Sequence, residues 1–527
     1  MEHRRALQAR ALWLVAGLVM ALAVCVPRLN GGHWAGDYLW AEDGNLFIEQ
    51  ARTLGWRSLW TPYAGYLHLY PRLFAFVACQ FDLQQASRIL LSGWLIAYLA
   101  LASVIIRRCL AWGLHPAWAL LYVGVILFQP SNGEVFFNIT NSQWHAGAAL
   151  TLFVLTSDNQ RISTAGYLLL LVAGLTGPFS VLLMPLLLLH AVLFRSQRRP
   201  VALYFTVAAC GALQACVLMG ADRLQSTGVN ADPAVWFSAL RSMALFGADS
   251  LRTSIAAVTF WILLGTLFLR ARAGRKTALL LLLAALLQLA AALYASRADP
   301  RLTVFFGSGN RYTWVPYCLI FVAALRLAVA LHRAWALLLL LLPLIMLDHA
   351  GFRPIQFVRL NFGSFYNFSL YVPAVVPINP VVPAYPGWYI YGSPPSPALM
   401  APQQSALQLD HSTVTGAAAR MQSGVLTVDA PGTDPAVYFK DRIDCGAARD
   451  IGLEVELERD QGGWVQLFWA AGEAYSEAAS LRRFYPAGAV TAQFAFRNGQ
   501  HPLSVRVDPL EHPGRARIRQ VKFYCLP

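Results

Sequence analysis

Long runs of apolar residues, separated by short polar stretches, fill the first two-thirds of this chain. A helix that crosses a bilayer needs about 20 mostly apolar residues. The pattern predicts about eleven such helices within residues 1–348, near positions 11–27, 86–106, 116–130, 144–157, 162–176, 179–195, 200–220, 254–270, 277–295, 312–331 and 334–348. Gly177-Pro178 indicates either a tight turn between two spans or a kink within one re-entrant segment.

The basic residues predict an orientation for these spans. They lie in alternate loops, on the same side as the basic N-terminus: Arg107/Arg108, Arg161, Arg195/Arg198/Arg199, Arg270/Arg272/Arg275/Lys276 and Arg333. Because cytoplasmic loops carry the excess of Lys and Arg, we expect the N-terminus on the cytoplasmic side of a bacterial inner or plasma membrane. An odd number of spans then places the C-terminus outside. The apolar run Ala11–Val26 resembles a signal peptide, but Cys25-Val26-Pro27-Arg28 follows it, so we expect an uncleaved first span.

Beyond residue 348 the pattern changes twice. Residues 349–402 are rich in Pro, Tyr and Phe, which predicts an irregular strap and linker on the outer face, without regular helix. From residue 403 to residue 527, apolar and polar positions alternate between turns such as Pro431-Gly432 and Gly462-Gly463, which is typical of strands. The alternating segments are 424–429, 451–457, 464–469, 489–496, 503–508 and 516–523. Strands at this spacing predict an extracytoplasmic antiparallel β-sandwich, jelly-roll-like in type.

Composition supports this division into a membrane part and a soluble part. The chain is 57% hydrophobic and 13% charged, whereas soluble chains carry about 25% charged residues. Of the 27 acidic residues, 14 follow residue 400. The net charge of +14 comes from basic residues spread over loops, as the bias of cytoplasmic loops requires. No basic run with interleaved aromatics is present in the sequence, so we expect no nucleic-acid partner.

The eight cysteines fall into two groups. Six lie in or beside apolar segments, where a buried free thiol is the default. Cys445 and Cys525 are the two within the predicted β domain, near its first and last strands. Because an outside location permits disulfides, we expect these two to pair. No Cys/His spacing indicates a zinc site.

The first outer loop, residues 28–85, holds an unusual concentration of chemistry. Asp37, Glu42, Asp43 and Glu49 are about a third of the acids of the membrane part, and an amphipathic stretch, Leu46 to Leu54, predicts a helix on the membrane surface. Further along come Tyr66, His68 and Arg72; His68 and Arg72 are four residues apart and share a face if helical. Arg binds phosphate through a bidentate fork, and Tyr and Trp favour the membrane interface. The loop suits a sugar and a phosphate, although solvated acids and an interfacial aromatic belt give the same pattern.

Two further outer segments carry polar residues. In Asn132–His145, amides that include Asn141 and Gln143, the carboxylate of Glu134 and the ring of Trp144 lie at the entrance to a span. Such groups are costly in lipid, so they indicate a cavity lining that contacts donor or acceptor. In Gly307-Ser-Gly309-Asn310-Arg311-Tyr312, a glycine-rich turn precedes Arg311 at the mouth of another span. Arg311 is either a phosphate ligand or an interfacial residue that snorkels.

The run Ala41-Glu42-Asp43-Gly44, followed by Thr61–His68 and Pro71-Arg72, resembles a group of bacterial membrane proteins of the GT-C superfamily of glycosyltransferases. The resemblance covers residues 1 to about 395 and depends chiefly on topology and on the position of the acidic pair. It implies transfer of a sugar from a polyprenyl-phosphate donor to a glycan or lipid-linked acceptor of the cell envelope, in membrane lipid. Glu42-Asp43 departs from an Asp-x-Asp pair, which leaves open whether a divalent cation, Mg or Mn, is held by these two residues.

Carried over to this chain, the resemblance implies an inverting, carboxylate-assisted reaction of polysaccharide biosynthesis. Asp43 or Asp37, with Glu42 beside them, is the expected general base on the acceptor hydroxyl. Arg72 and Arg311 are the expected cations for the leaving phosphate. His68, Tyr66, Tyr312, Asn141, Gln143 and Trp144 complete the expected substrate-binding set.

Two rival functions follow from the same sequence. A lipid or glycan transporter, or flippase, with an outer glycan-binding domain predicts charges deep in the spans and an internal repeat. A non-enzymatic envelope assembly or sensor protein needs only the β domain. In that domain Trp464, Phe468, Trp469, Tyr475 and Glu477 place aromatics beside a carboxylate, which indicates either glycan binding or core packing.

Overall fold

The computed structural model describes residues 2–26, 39–129, 133–156, 162–195, 200–221, 228–248, 250–304, 311–333, 335, 337, 360–392, 402–472, 474–499 and 502–527, with residues 2–10 as backbone only. The chain forms two compact units. The helical unit contains residues 1–35, 50–80 and 88–356. The β unit contains residues 36–49, 81–87 and 357–527, so the acidic segment of the first outer loop and the strap share a unit with the β-strands.

The predicted apolar segments from 11–27 to 312–331 each coincide with a helix. These helices are α1 (Glu2–Cys25), α2 (Glu49–Leu54), α3 (Leu69–Ala78), α4 (Leu83–Ala111), α5 (Pro116–Leu127), α6 (Ser142–Thr156), α7 (Thr164–Gly174), α8 (Phe179–Leu193), α9 (Val201–Met219), α10 (Pro233–Ala244), α11 (Leu251–Arg270), α12 (Arg275–Ala295) and α13 (Arg311–Ala330). Apart from residues 335 and 337, the predicted segment 334–348 lies outside the described residues.

Five of the described helices are long and apolar enough to cross a membrane: α4, α9, α11, α12 and α13. The prediction of about eleven spans is therefore not confirmed. The reason is length: α7 has 11 residues and α8 has 15, so at 1.5 Å per residue they extend only about 17 and 23 Å. The orientation of the helices stays a prediction.

Small residues allow the helices of this unit to approach closely. A Cβ at Gly147 of α6 would lie 2.3 Å from the ring of Phe179, and one at Gly211 of α9 would lie 2.7 Å from Met184 Sδ. Packing of this kind holds helices together where lipid removes the hydrophobic drive between them. The most deeply buried helices are α6 and α13, which pack against each other. They form the centre of the unit, and their first residues carry the predicted polar site.

The β unit contains the predicted β-sandwich. Its strands are β1 (Ala374–Pro377), β2 (Tyr389–Gly392), β3 (Gln403–Leu407), β4 (Ser412–Thr415), β5 (Ala418–Gln422), β6 (Val425–Ala430), β7 (Ala436–Ile443), β8 (Asp450–Arg459), β9 (Gly463–Ala470), β10 (Ser480–Tyr485), β11 (Gly488–Arg497), β12 (Leu503–Asp508) and β13 (Gly514–Leu526). One sheet has the order β10-β9-β12-β7-β4. The other has the order β11-β8-β13-β6-β5, with β3 also paired to β13. All these pairs are antiparallel.

The strap is more regular than its proline content predicts. The prediction that it forms no regular helix is wrong for a short helix, α14 (Phe362–Ser369), because that stretch contains no proline. The strands β1 and β2 pair into a small sheet of their own. The helix α14 packs closely on β8, since a Cβ added at Gly452 would lie 2.3 Å from the ring of Phe368. The buried Asp450 accepts hydrogen bonds from Ser364 Oγ at 2.6 Å and Asn367 Nδ2 at 2.9 Å. The strap is therefore fixed to the sandwich.

A disulfide and the hydrogen bonds of one buried arginine link separate parts of the sandwich. Cys445 and Cys525 form the predicted disulfide, with Cα atoms 5.3 Å apart. Arg459, only 2% exposed, donates to the carbonyl oxygens of Gly463 and Tyr485 at 3.0 and 2.7 Å. It also donates to the carbonyl oxygen of Pro509 at 3.1 Å. One guanidinium thus satisfies backbone groups of several turns at one end of the sandwich.

Candidate functional site

The acidic pair of the first outer loop is built into the β unit. Asp37 lies outside the described residues. Glu42 precedes a short π-helical turn, Asp43–Ile48, and Asp43 is buried, with its backbone N–H donating to the carbonyl of Trp40 at 2.6 Å. The helical run continues through α2 to Leu54, so the helix predicted from Leu46 to Leu54 is confirmed.

The strap holds this acidic segment in place. Asn379 of the strap pairs with the backbone on either side of Trp40. A Cβ at Gly44 would lie 2.9 Å from Ile378 Cδ1, so the turn passes close to the strap only because it has glycine there. Glu49 accepts a hydrogen bond from the backbone N–H of Tyr391 at 3.1 Å. The segment that carries Glu42 and Asp43 is therefore positioned by strap residues more than 300 positions away.

The other half of the first outer loop is buried in the helical unit. His68 is fully buried at the N-terminus of α3, and Arg72 on the first turn of that helix is 1% exposed. The Tyr66 ring stacks on the His68 ring with centroids 4.7 Å apart. Tyr66 and His68 thus lie together, and the backbone N–H of Arg72 donates to the His68 carbonyl at 3.1 Å. A buried histidine and arginine among apolar helices are costly, which makes this segment a candidate site.

A hydrogen-bonded clamp holds this segment. The turn between α7 and α8 lies against it: the N–H of Leu69 donates to Leu175 O at 3.1 Å, and the N–H of Gly177 donates to Leu67 O at 2.9 Å. The side chain of Gln214 on α9 then bridges the two segments that contain Leu67 and Gly177. It accepts from the N–H of Leu67 at 2.8 Å and donates to Leu67 O and Gly177 O at 3.2 and 3.1 Å. Gly177-Pro178 thus lies in a turn between α7 and α8, and both predicted alternatives, two spans or one re-entrant segment, stay predictions. The buried backbone of this turn is satisfied by protein groups, as buried backbone requires.

A second polar cluster lies where the loop 133–141 meets the first turn of α13. Arg311 Nη1 and Glu134 Oε2 form an ion pair at 3.0 Å, with the Glu134 side chain 3% exposed. The amide of Asn138 donates to the carbonyls of Glu134 and Phe136 at 2.8 and 2.9 Å. Asn141 Nδ2 donates to Glu134 O at 2.8 Å and its Oδ1 accepts from Trp144 Nε1 at 3.1 Å. The asparagines therefore shape the loop that presents Glu134 to Arg311.

Aromatic rings and one amide border this ion pair. Arg311 lies over the Tyr312 ring, 5.4 Å from its centroid, and Tyr312 meets Trp144 edge to face at 5.3 Å. Trp144 in turn contacts Phe179 at 5.6 Å. Gln143 is 5% exposed, and its Oε1 has no hydrogen-bond partner among the described residues. Such an acceptor is costly to bury unless a ligand hydroxyl satisfies it.

Gln143 also joins the two clusters. A Cβ at Gly177 would lie 3.0 Å from Gln143 Oε1, so the glutamine contacts the turn that pairs with the His68 segment. The structure thus brings most of the predicted site residues into one largely buried polar band of the helical unit. His68, Arg72, Asn141, Gln143 and Trp144 are buried, and Tyr66, Arg311 and Tyr312 are half-buried. Glu42 and Asp43 belong to the β unit.

Sequence reasoning grouped Glu134 with the donor or acceptor contacts but gave no role to Gln214 or Thr176, which the structure places within the band. Thr176 is fully buried, and its Oγ1 accepts from the N–H of Tyr70 at 2.9 Å. A signal was present for Gln214, an isolated polar residue in the apolar helix α9, where a partner or a cavity is expected. For a metal, no group of three His, Cys, Asp or Glu side chains gathers in the described part of the chain.

The predicted aromatics of the β unit divide between its two faces. Trp464, Phe468, Tyr475 and Glu477 belong to the outer face of the sheet that contains β9, since they alternate with buried Val465 and Leu467 or lie in the loop after β9. Trp469 stacks on the fully buried Phe496 at 4.2 Å, between the sheets. Phe468 is buried despite its outer position, because other side chains cover it.

These features define a protein with apolar membrane-type helices and a C-terminal all-β domain. No protein-family model and no curated protein matches the chain. Matching solved structures include the low-affinity xylan-binding module CBM86 from Roseburia intestinalis, at 11% identity over 23% of this chain and 94% of the module, TM-score 0.19. The C-terminal CBM6 of a marine laminarinase from Zobellia galactanivorans matches at 10% identity over 23% of this chain and 99% of that one, TM-score 0.19. A cellulose-binding domain of Cellulomonas fimi β-1,4-glucanase C matches at 15% identity over 23% and 92%, TM-score 0.20. Each of these matches covers 23% of this chain, and they assign it neither a family nor a ligand.

Proposed function

We propose that this chain is a membrane glycosyltransferase of the GT-C kind, which moves a sugar from a polyprenyl-phosphate donor to an extracytoplasmic glycan or lipid-linked acceptor. The observation that supports it best is the buried polar band of the helical unit. Within apolar helices, Arg311 and Glu134 are paired at 3.0 Å beside Tyr312 and Trp144. A guanidinium, aromatic rings and a buried amide oxygen are the groups that a sugar phosphate requires.

The reaction fits these groups as follows. The acceptor oxygen forms a bond to the anomeric carbon while the bond from that carbon to the phosphate oxygen breaks, and the configuration inverts. The acceptor proton passes to a carboxylate, and the electron pair of the broken bond leaves with the polyprenyl phosphate. Arg311 and Arg72 are the cations proposed to stabilise the charge on that phosphate.

The carboxylate base is proposed to be Asp43, with Asp37 and Glu42 as its alternatives from the same resemblance. A base must reach the acceptor hydroxyl within hydrogen-bond distance in the complex. Asp43 is buried and anchored next to the strap, which gives a carboxylate a fixed position. Tyr66 and His68 are proposed to contact the donor sugar, and a divalent cation is not required by this scheme.

The test uses the full chain, purified in nanodiscs, with a panel of synthetic polyprenyl-phosphate-linked hexoses. Release of polyprenyl phosphate and a glycosylated acceptor is followed by mass spectrometry. Loss of a donor that stabilises developing negative charge lowers kcat by a factor of about 10²–10³. We therefore expect the kcat of Arg311→Gln to be lower than that of the wild type by this factor. Arg252→Gln, an exposed arginine of α11, is the matched control and is expected to be unchanged. Asp43→Asn is expected to abolish transfer, and undiminished transfer would exclude Asp43 as the base.

The transporter alternative has one observation in its favour, namely the buried His68 and Arg72 in the helical unit. It predicts that labelled polyprenyl-linked sugar changes leaflet in proteoliposomes while no glycosidic bond is broken. Leaflet exchange without release of polyprenyl phosphate, abolished by Arg72→Gln, would replace the transferase proposal.

A further inference from the structure

The outer face of the five-stranded sheet differs from that of its partner sheet. Inward residues of β9, β12 and β7 such as Val465, Val505 and Val437 are fully buried. The residues that alternate with them form the outer face: Trp464, Gln466, Phe468, Ser480, Arg482, Phe484, Ser504, Arg506, Asp508, Tyr438, Lys440 and Arg442. Large aromatics and basic residues thus stand side by side on a surface that is not part of the core.

One half of this face is filled by its own side chains. Arg506 lies over the Phe468 ring at 4.6 Å and over the Tyr438 ring at 5.5 Å. Its guanidinium donates to both oxygens of Asp508, at 2.7 and 2.6 Å. Tyr475 covers Phe468 from the loop after β9. The cation in this half is neutralised and its rings are occupied.

In the other half of the face, the guanidinium has no carboxylate partner within 4.0 Å among the described residues. Arg482 lies over the Trp464 ring, 4.9 Å from its centroid, and Phe484 meets Trp464 edge to face at 5.7 Å. Arg482 is exposed. A guanidinium that lies over a ring is oriented by the ring yet keeps N–H donors for an oxygen ligand. Next to it, Gln466 Nε2 donates to Glu477 Oε2 at 2.8 Å and to Ser480 Oγ at 2.9 Å, which fixes the neighbouring amide.

The charges give the chemistry of the ligand. On the outer face of the six-stranded sheet, Lys522 is paired with Glu456 and Arg519 with Glu458, each at 2.9 Å. On the five-stranded sheet Arg482, Lys440 and Arg442 have no carboxylate within 4.0 Å among the described residues. Arg482 is therefore a guanidinium without an ion-pair partner beside an aromatic ring.

We propose that the Trp464–Arg482–Phe484 surface binds an anionic glycan, whose sugar ring contacts the aromatics and whose carboxylate or phosphate accepts from Arg482. Aromatic rings offer a sugar a flat apolar surface, and a charge-assisted bond to a guanidinium selects an acidic sugar over a neutral one. The inference concerns binding by the β unit, so it does not depend on the transferase proposed above.

The test uses the full chain in nanodiscs with no lipid-linked donor, which separates it from the transferase assay. Three labelled probes are titrated by microscale thermophoresis: an oligogalacturonate, a phosphorylated mannan oligosaccharide and a neutral cello-oligosaccharide. We expect at least one anionic probe to bind about tenfold or more tightly than the neutral one, and to weaken as salt is raised. The anionic probe that binds identifies carboxylate or phosphate as the recognised group.

Variants then assign the surface. Arg482→Gln changes an exposed side chain and is expected to reduce binding of the anionic probe about tenfold or more, with loss of its salt dependence. Trp464→Ala is also expected to reduce binding of the anionic probe about tenfold or more. Arg519→Gln, on the other sheet, is the matched control and is expected to leave binding unchanged. Equal binding of neutral and anionic probes, no binding of either anionic probe, or full binding by Arg482→Gln would overturn the proposal.

Discussion

Gln214 offers the sharpest test of how the helical unit is held together. It is a fully buried residue of an apolar helix, and its replacement by leucine keeps the volume while it removes the amide. Three hydrogen bonds disappear, those to Leu67 N, Leu67 O and Gly177 O. The carbonyl of Leu67 keeps its bond from the N–H of Gly177. Two buried backbone groups, Leu67 N–H and Gly177 O, are therefore left without the partner they have now.

The magnitude follows from this count. Three side-chain hydrogen bonds at about 0.6 kcal/mol each in membrane proteins give about 2 kcal/mol. Stranding buried polar groups costs about 1–3 kcal/mol for each. We therefore expect Gln214→Leu to reduce the free energy of unfolding by about 2–6 kcal/mol, the range given by two stranded groups. Reversible unfolding in mixed micelles, followed by tryptophan fluorescence, measures it.

The chain supplies a matched control. Gln288 is a glutamine buried in α12 of the same unit, and among the described residues its Oε1 has no hydrogen-bond partner. Gln288→Leu is expected to be neutral or slightly stabilising, since it removes a buried polar group that makes no such bond. If Gln214→Leu and Gln288→Leu shift the unfolding free energy equally, the clamp around Leu67 and Gly177 does not stabilise the unit and the reasoning fails.

Three predictions concern the β unit. Replacing Cys445 and Cys525 by serine is expected to destabilise it by about 2–5 kcal/mol, because the bond closes a long loop; unchanged thermal unfolding would contradict this. Arg459→Met is expected to cost about 2 kcal/mol or more, since the carbonyls it satisfies are buried, and a wild-type melting temperature would refute it. Burial raises the pKa of Asp508 to about 6, so the folded state binds its proton more tightly than the unfolded state, and stability falls as pH rises from about 4 to 6. The N–H of Gln408 donates to the Asp441 carboxylate and lowers its pKa. Asp441 therefore stabilises the folded state above its unfolded pKa, and this stabilisation is lost as pH falls. Asp508→Asn and Asp441→Asn should remove pH dependences of stability that have opposite signs.

Some strands were not predicted from the sequence, and they show the limit of prediction from local patterns. Residues 418–422 of β5 are all exposed and read Ala-Ala-Arg-Met-Gln, so no alternation marks them as a strand. They form one only because β6 pairs with them. In β10, two adjacent arginines face opposite ways, and Arg483 is buried because its guanidinium donates to Gln493 O at 3.0 Å. A buried cation is compatible with a strand only through such a partner, which the sequence does not reveal.

The sequence by itself determined the helices of the membrane part, the sandwich and the disulfide. Each depends on a short-range property: the length of an apolar run, alternation along a strand, or the presence of two cysteines in one domain. Periodicity, however, carries no information about which segments meet. The tertiary structure alone decided that Arg311 pairs with Glu134 across 177 residues and that Leu67 and Gly177 share Gln214. It also decided that the segment with Glu42 and Asp43 is fixed to the strap. These contacts are long-range and depend on how whole helices and strands pack, so no window of sequence contains them.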